Sequence, residues 1–452
     1  MKEKTDSFAS QLLTLVFPIA FQQFMLALVS ASDTFMLGAL AQDALSAVSL
    51  ASQIAFVENL FLAAMTIGLS MLAAQYWGKG NRAAVEKILA YVLRVSLLIS
   101  CVFFLAGLLV PQGIMRIFTN DPGMLADGAV YLRTVSPSFL LTAISQVFLC
   151  TLKNSGRAGQ ASLISSVGVV VNIALNALLI FGLVGFPRLE IAGAATATVI
   201  ARLTEVTWCI LESTRKNSIR LRFSFLLRPE QSLRRQFWTY TLPVLGNEIV
   251  WGVGFTMSSV IMGHLGSDAA AANSIASVVK NLAACFCVGL GSGGGIMVGN
   301  QLGAGQTSLA KEYGKKLCRM SILCGVASGL PILLLRPAVL SVTTLSGQAN
   351  RYLNWMLVMC SYYMVGKSVN STTISGIFCA GGDSKFGFLC DAVTLWCIIV
   401  PAGFAAAFLF HLPVLVVYFV LSLDEMIKLP AVYRNYKKYR WVKDLTTKEH
   451  DL

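Results

Sequence analysis

Charged side chains are scarce in this chain of 452 residues, where Asp, Glu, Lys and Arg together make up 13%. Soluble domains carry ~25% charged residues, and 56% of this sequence is hydrophobic, so a soluble globular protein is excluded. A membrane-spanning helix needs ~20 mostly apolar residues, and apolar blocks of that kind recur along the whole chain. The strict alternation of a membrane β-barrel is missing, for example from Ile322 to Leu335. The composition therefore predicts an all-α, polytopic membrane protein.

Histidine is also rare, with three in the sequence, and the 11 cysteines fall almost entirely inside apolar runs. A thiol in such a run behaves as a small hydrophobe, so no disulfide framework is predicted. The spacings match no zinc site, because Cys285 and Cys287 stand apart from other potential ligands. No compact catalytic set is visible either. We therefore expect a protein that is not an enzyme and that uses no cofactor.

The basic residues, which give a net charge of +13, are concentrated in alternate connections between the apolar blocks. The blocks predict twelve spans, centred near residues 26, 61, 99, 139, 172, 200, 250, 283, 329, 364, 397 and 422. Among the connections, those after even-numbered spans are the richest in basic residues, namely Lys79, Arg82, Lys87, Lys153, Arg157, those from Arg215 to Arg235, Lys311, Lys315, Lys316, Arg319 and Lys385. The positive-inside rule places these connections and both termini in the cytoplasm. The positive charge is thus a topology signal for a cell-membrane protein, and no nucleic-acid partner is expected.

The two halves of the sequence resemble each other at an offset of 225 residues. The segment from Met36 to Ala44 matches the segment from Ile261 to Ala269, and Gly78 to Gly80 matches Gly303 to Gly305. Each half then holds six spans, so both halves enter the membrane from the same side and form parallel repeats.

This repeat predicts two six-helix lobes, at residues 1–212 and 237–452, with a polar, basic cytoplasmic linker at 213–236 and a basic cytoplasmic tail. Such an architecture is typical of transporters that bind a small molecule near the membrane midplane and work by alternating access. Channels are more often built by several subunits around one axis. Here we expect one chain, acting as a monomer among membrane lipids.

Charged residues within the spans are candidates for function, since each costs at least ~2.5–3.5 kcal/mol on insertion scales. Two pairs have a structural interpretation, because Arg202 and Glu205, like Glu425 and Lys428, stand three residues apart on one helix face. An interhelical pair of Glu58 with Arg133 is a further possibility.

Asp33 differs, because it lies deep in the first span with no cation within one helical turn. A carboxylate in that setting binds a cation such as sodium through oxygen ligands, or takes up a proton because burial disfavours its charged form. Asn172 and Asn176 share one helix face, and Thr198 adds a hydroxyl in the sixth span. The alternative is that these polar residues only join helices by hydrogen bonds.

Several segments resemble the multidrug and toxic compound extrusion (MATE) transporters over nearly the whole chain. They are Pro18 to Gly38, Asn172 to Gly182, Gly193 to Thr198, Asn247 to Gly252 and Gly381 to Asp383. The DinF-like subgroup is the most similar, judged by Glu248 with Trp251, by Asp391 with Trp396 and Pro401, and by the tail from Asp424 to Lys443.

This resemblance implies a twelve-helix antiporter that expels organic cations or other amphipathic toxins, driven by inward movement of sodium ions or protons. It also implies that the cation-coupling site of the first lobe, a possible sodium site, is formed by Asp33, Asn172, Asn176 and Thr198. Glu248 matches the acidic residue of the seventh span. The sequence departs from the NorM-like pattern in the tenth span, where Ser368 stands at about the position of an acidic residue.

The second lobe holds Glu248, Lys280, Lys367 and Asp391, whose formal charges sum to zero. Two interpretations stay open. The four residues form buried ion pairs with each other, or they make a substrate and cation site in which the lysines bind an anionic group or act as an internal cation.

A second candidate function is a flippase for a lipid-linked oligosaccharide or precursor, from the same superfamily. Its members usually line the cavity with basic residues that hold a pyrophosphate, and Lys280, Lys367, Arg94 and Arg133 are compatible with that. A membrane enzyme or receptor is disfavoured, since neither a catalytic cluster nor a soluble sensor domain is present.

Overall fold

The computed structural model describes residues 8–38, 42–215, 219–220, 225, 230–343 and 345–447. Within those ranges the chain is built from helices and contains no strand, which confirms the all-α prediction. The helices are α1 (Phe8–Gly38), α2 (Gln42–Gly78), α3 (Arg82–Leu109), α4 (Pro111–Phe118), α5 (Pro122–Val135), α6 (Pro137–Asn154), α7 (Ala158–Phe181), α8 (Glu190–Ser213), α9 (Gln231–His264), α10 (Ser267–Gly303), α11 (Thr307–Val342), α12 (Gly347–Asn370), α13 (Ser384–Asp391), α14 (Val400–Phe404), α15 (Val414–Leu421) and α16 (Asp424–Lys437). A short 3-10 turn occupies Leu183–Gly185, and π-helical segments occupy Ser371–Phe378, Ala392–Ile399 and Ala405–Leu409.

Helix boundaries follow local chemistry at several points. Asn81 caps α3 by accepting a hydrogen bond from the backbone N–H of Ala84, at 3.1 Å. Asp121 caps α5 in the same way through Met124, and Pro122 takes the first helical position, where no N–H is needed. Helix α7 ends at Gly182, whose φ of 69° is accessible to glycine at little cost. These ends set the lengths of the spans.

Nine helices of the described chain are long and apolar enough to cross a membrane, or ten if the bent pair α5 and α6 counts as one span. A multi-pass membrane protein is therefore confirmed. The predicted spans near residues 364 and 422 do not meet the same criterion. Helix α12 is too polar, and the chain between α15 and α16 breaks at Ser422 and Leu423. The start of α16 carries the buried charged residues Asp424, Glu425 and Lys428, and α12 carries the half-buried Lys367.

Packing divides the chain into two compact units. The first unit contains Met25–Ala73 and Asn81–Phe237. The second unit contains the start of α1 up to Phe24, the segment Ala74–Gly80 and Trp238–Leu452. The lobes at 1–212 and 237–452 were predicted from the sequence repeat, and they stay a prediction. The two packing units have different bounds, because a repeat and a packing unit need not begin and end at the same residues. Most of the predicted linker at 213–236 lies outside the described residues.

Glycines of α10 explain why the first turns of α1 and the last turns of α2 pack in the second unit. A side chain at Gly289 would collide with Ala20, and one at Gly303 would collide with the backbone of Gln75. Small residues let helix backbones approach closely in membranes, where dispersion contacts contribute much of the packing energy.

The end of α2 also holds the C-terminal tail, here residues 441–447. The fully buried Gln75 donates from Nε2 to the carbonyls of Ala380, at 2.7 Å, and Lys443, at 3.0 Å. Its Oε1 accepts from the backbone N–H of Leu445 at 2.6 Å. Trp441 is fully buried and stacks on Tyr436, with ring centroids 5.7 Å apart. One side chain thus satisfies three backbone groups of the tail and of the segment beneath it.

Replacing Gln75 with Leu is expected to destabilise the second unit by about 1–3 kcal/mol, because buried backbone groups lose their partners. The thermal unfolding temperature should fall, and amide exchange should quicken between residues 443 and 446. Asn59→Leu is the matched control, since the exposed Asn59 bonds, among the residues that the structure describes, only to Ala55 of its own helix. Equal thermal shifts in the two variants would contradict this role for Gln75.

Candidate functional site

The four residues predicted as a cation site lie together in the first unit. They are Asp33 on α1, Asn172 and Asn176 on α7, and Thr198 on α8. Asn176 donates from Nδ2 to Asp33 Oδ1 at 2.5 Å and to Asn172 Oδ1 at 3.1 Å. Asn172 in turn donates from Nδ2 to Thr198 Oγ1 at 3.3 Å. The chain of contacts therefore runs from Asp33 to Thr198 without a gap.

Local structure brings these groups together. Asn172 and Asn176 stand four residues apart on α7 and so project from one face. Helices α7 and α8 approach closely at Gly193, where any side chain would collide with the carbonyl of Leu179. This close approach places Thr198, one turn further along α8, opposite Asn172.

The cluster offers oxygen atoms of three kinds: carboxylate, amide and hydroxyl. Asn172 and Asn176 are buried, and Oδ1 of Asn176 has no hydrogen-bond partner within the described residues. An unpartnered buried acceptor is costly, and a bound cation or a proton on the neighbouring carboxylate would satisfy it. Carboxylate, amide and hydroxyl oxygens are the ligands that hard cations prefer.

Arg202 adds a charge that the sequence did not connect with Asp33. It forms the predicted ion pair with Glu205, at 2.7 Å, and its positive charge also acts on Asp33 and Glu58. No local signal could reveal this, because the three acidic residues lie on three different helices.

The suggested pair of Glu58 and Arg133 is wrong. Glu58 is 1% exposed and accepts a hydrogen bond from Ser100 Oγ at 2.5 Å, whereas Arg133 is exposed. The two residues were matched by charge alone, and helix packing points them elsewhere.

The second unit contains a network of ion pairs centred on Lys428. Its ammonium lies 2.7 Å from Asp391, 3.5 Å from Glu425 and 4.0 Å from Asp424. Lys367 lies 3.2 Å from the other oxygen of Glu425. The predicted ion pair of Glu425 with Lys428 is confirmed. Both residues also form ion pairs with other residues, so the pair is part of a larger network.

Of the two interpretations left open for Glu248, Lys280, Lys367 and Asp391, ion pairing of these four with each other is wrong for the described residues. Asp391 pairs with Lys428, and Lys367 pairs with Glu425. The network is possible because the first turns of α16 present three buried charged residues, Asp424, Glu425 and Lys428.

Glu248 and Lys280 remain outside these pairs. Glu248 lies on α9, where the positive charge of Lys367 attracts it and the negative charge of Asp391 repels it. Within the described part of the chain it forms no hydrogen bond and no ion pair through its side chain. Lys280, on α10, lies with its ammonium 4.8 Å from the centre of the Tyr363 ring. Both residues are half-buried.

A cavity of ≈ 70 Å³ opens beside Lys280. Its polar lining includes Lys280, Lys367 and Asp424, and its aromatic lining includes Trp251 and Phe255. The ammonium of Lys367 lies 5.6 Å from the centre of the Trp251 ring. The arrangement can hold a polar or charged group against aromatic surfaces.

Comparison with known proteins settles the family. The family model MatE matches residues 18–178 and 243–405. The chain belongs to the MATE family. The two matched segments begin 225 residues apart, which is the offset of the internal repeat.

Curated relatives of this MATE protein span nearly the same length. The uncharacterised transporter YisQ of Bacillus subtilis is 21% identical, with 98% of this chain and 97% of that protein covered. A probable multidrug resistance protein NorM of Burkholderia pseudomallei is 29% identical, with 86% and 84% covered. The family is one of transporters and not of enzymes. The DinF-like subgroup stays a prediction.

Solved structures share the fold. An outward-facing MATE family transporter superposes with a TM-score of 0.87 at 16% identity and 96% coverage of both chains. A MOP superfamily transporter from Pyrococcus furiosus, described for the reverse polarity of its binding pocket, has a TM-score of 0.86 at 16% identity, with 98% of this chain and 97% of that chain covered. These likenesses establish the polytopic helical architecture.

Proposed function

We propose that this MATE protein is a secondary active antiporter, which exports amphipathic or cationic small molecules and is driven by inward movement of sodium ions or protons. The observation that carries the proposal is the chain of hydrogen bonds that links Asp33 through Asn176 and Asn172 to Thr198. A carboxylate beside an unpartnered buried amide oxygen is suited to take up a cation and release it when the surroundings change.

The choice of solute follows from the relatives, several of which are named as multidrug resistance proteins. They favour drug or toxin extrusion and do not favour the flippase alternative. Phe and Met, with 26 and 15 residues, are abundant, which suits a cavity for varied hydrophobic solutes.

Transport in proteoliposomes tests the proposal. Purified protein is reconstituted, an organic cation dye is loaded, and sodium and proton gradients are imposed separately. We expect dye movement only under an opposing gradient of the coupling ion. Movement at the same rate without either gradient would remove the antiport mechanism.

The proposed orientation puts both termini and the linker in the cytoplasm, with Asp268 outside. Cysteine at Ser267 should then react with an impermeant maleimide in intact cells, whereas cysteine at Ser232 should react only after the cells are opened. Both positions are exposed, so accessibility differs only through the membrane. Ser218, another linker position, lies outside the described residues. The opposite labelling pattern would invert the topology.

A further inference from the structure

Lys280 differs from two neighbouring lysines of the second unit, Lys367 and Lys428. Lys367 and Lys428 each contact at least one carboxylate, whereas Lys280 forms no ion pair within the described residues and contacts the face of the Tyr363 ring instead. A cation in such surroundings is costly unless it is paired with an opposite charge. A cation–π contact stabilises it without neutralising its charge.

The cavity beside Lys280 lets a ligand reach this charge. Two ammonium groups, from Lys280 and Lys367, and one carboxylate, from Asp424, line it. Asp424 lies within 4.0 Å of Lys428, which partly offsets its negative charge. The charge of Lys367 is likewise offset by Glu425. Asp424 also attracts Lys280 across the cavity, but Lys280 is the lining charge that forms no ion pair within the described residues.

We infer that Lys280 binds an anionic group, and that the substrates of this transporter include amphipathic carboxylates with an aromatic body. Trp251 and Phe255 stack on each other with ring centroids 5.8 Å apart and line the same cavity, so they provide an apolar surface for that body. The cavity volume of ≈ 70 Å³ accommodates the carboxylate head in the present conformation.

This inference rests on the proposed function, so its test uses binding and not transport. The full chain, purified in detergent, is titrated with three probes that share one aromatic body: naphthylacetate, its methyl ester and naphthylethylamine. We expect naphthylacetate to bind more tightly than the ester. In Lys280→Met its affinity should fall about tenfold to 100-fold, since a hydrogen bond to a charged group is lost, while the affinity of the ester stays the same. Lys280→Arg should retain most of the preference.

Lys437→Met is the matched control, because the exposed Lys437 lies over the Tyr433 ring, at 4.5 Å, in a similar cation–π contact. Its binding profile should equal that of the natural protein. Equal affinities for acid and ester, an unchanged acid preference in Lys280→Met, or tightest binding of naphthylethylamine at this site would overturn the inference. If naphthylacetate binding fails these tests but dye antiport is observed, only the inference about Lys280 is wrong. If Lys280-dependent binding is observed but dye antiport is not, only the proposed antiport function is wrong.

Discussion

Replacing Asp33 with Asn is expected to reduce ion-coupled efflux to the level of protein-free liposomes. The reason is that Asn has nearly the same shape and can still accept the hydrogen bond from Asn176, but it carries no charge and takes up neither sodium nor a proton. Folding should therefore be nearly unchanged while coupling is lost. Efflux under imposed sodium and proton gradients, together with thermal unfolding of the same preparation, measures the two effects.

Asp121→Asn provides the control. Asp121 is exposed and caps α5 through Met124, and Asn caps helices as well as Asp does. Its efflux should match that of the natural protein. If Asp33→Asn retains wild-type efflux, the cluster of Asp33, Asn172, Asn176 and Thr198 does not couple ion movement to transport. That conclusion does not depend on what the second unit binds.

Replacing Lys428 with Met is expected to be the most destabilising of the changes considered. The Lys428 side chain is 3% exposed and contacts three carboxylates. Removing one partner of a buried ion pair costs about 3–5 kcal/mol, because the remaining charge is left uncompensated. Against a typical total stability of ~5–15 kcal/mol, such a loss should lower both the unfolding temperature and the yield of monodisperse protein.

Two companion variants distinguish a network effect from a general effect of losing lysine. Lys316→Met removes an exposed lysine that pairs with Glu312 four residues away on α11 and lies over the Phe8 ring, and it should cost about 1 kcal/mol. Adding Asp391→Asn to Lys428→Met removes a charge on each side of the strongest pair, and it should recover part of the lost stability. If Lys428→Met unfolds at the same temperature as Lys316→Met, the network does not stabilise the unit.

A second double variant, Lys280→Met with Glu248→Gln, is expected to behave differently from Lys428→Met with Asp391→Asn. These residues do not pair with each other or with the network in the described chain, so neither change should rescue the other. The thermal effects of the two single variants should simply add.

The sequence by itself determined the protein class, the helical architecture and part of the candidate site. Apolar blocks require helices, since every backbone polar group in the membrane core must be satisfied within its own segment. The shared face of Asn172 and Asn176, and the pair of Arg202 with Glu205, follow from helix geometry alone. The isolated charge of Asp33 was sufficient to single it out.

Only the tertiary structure decided which distant groups meet. Asn176 contacts Asp33 across 143 residues of sequence, and Gln75 contacts the tail across 370 residues. Charge sums suggested that Asp391 would pair with Lys280 or Lys367, but α16 brings Lys428 closer to it. Helical periodicity specifies neighbours one turn apart on a single helix, whereas partners on different helices depend on how the helices pack. That packing left Lys280 without an ion pair within the described residues, a property that the sequence does not show.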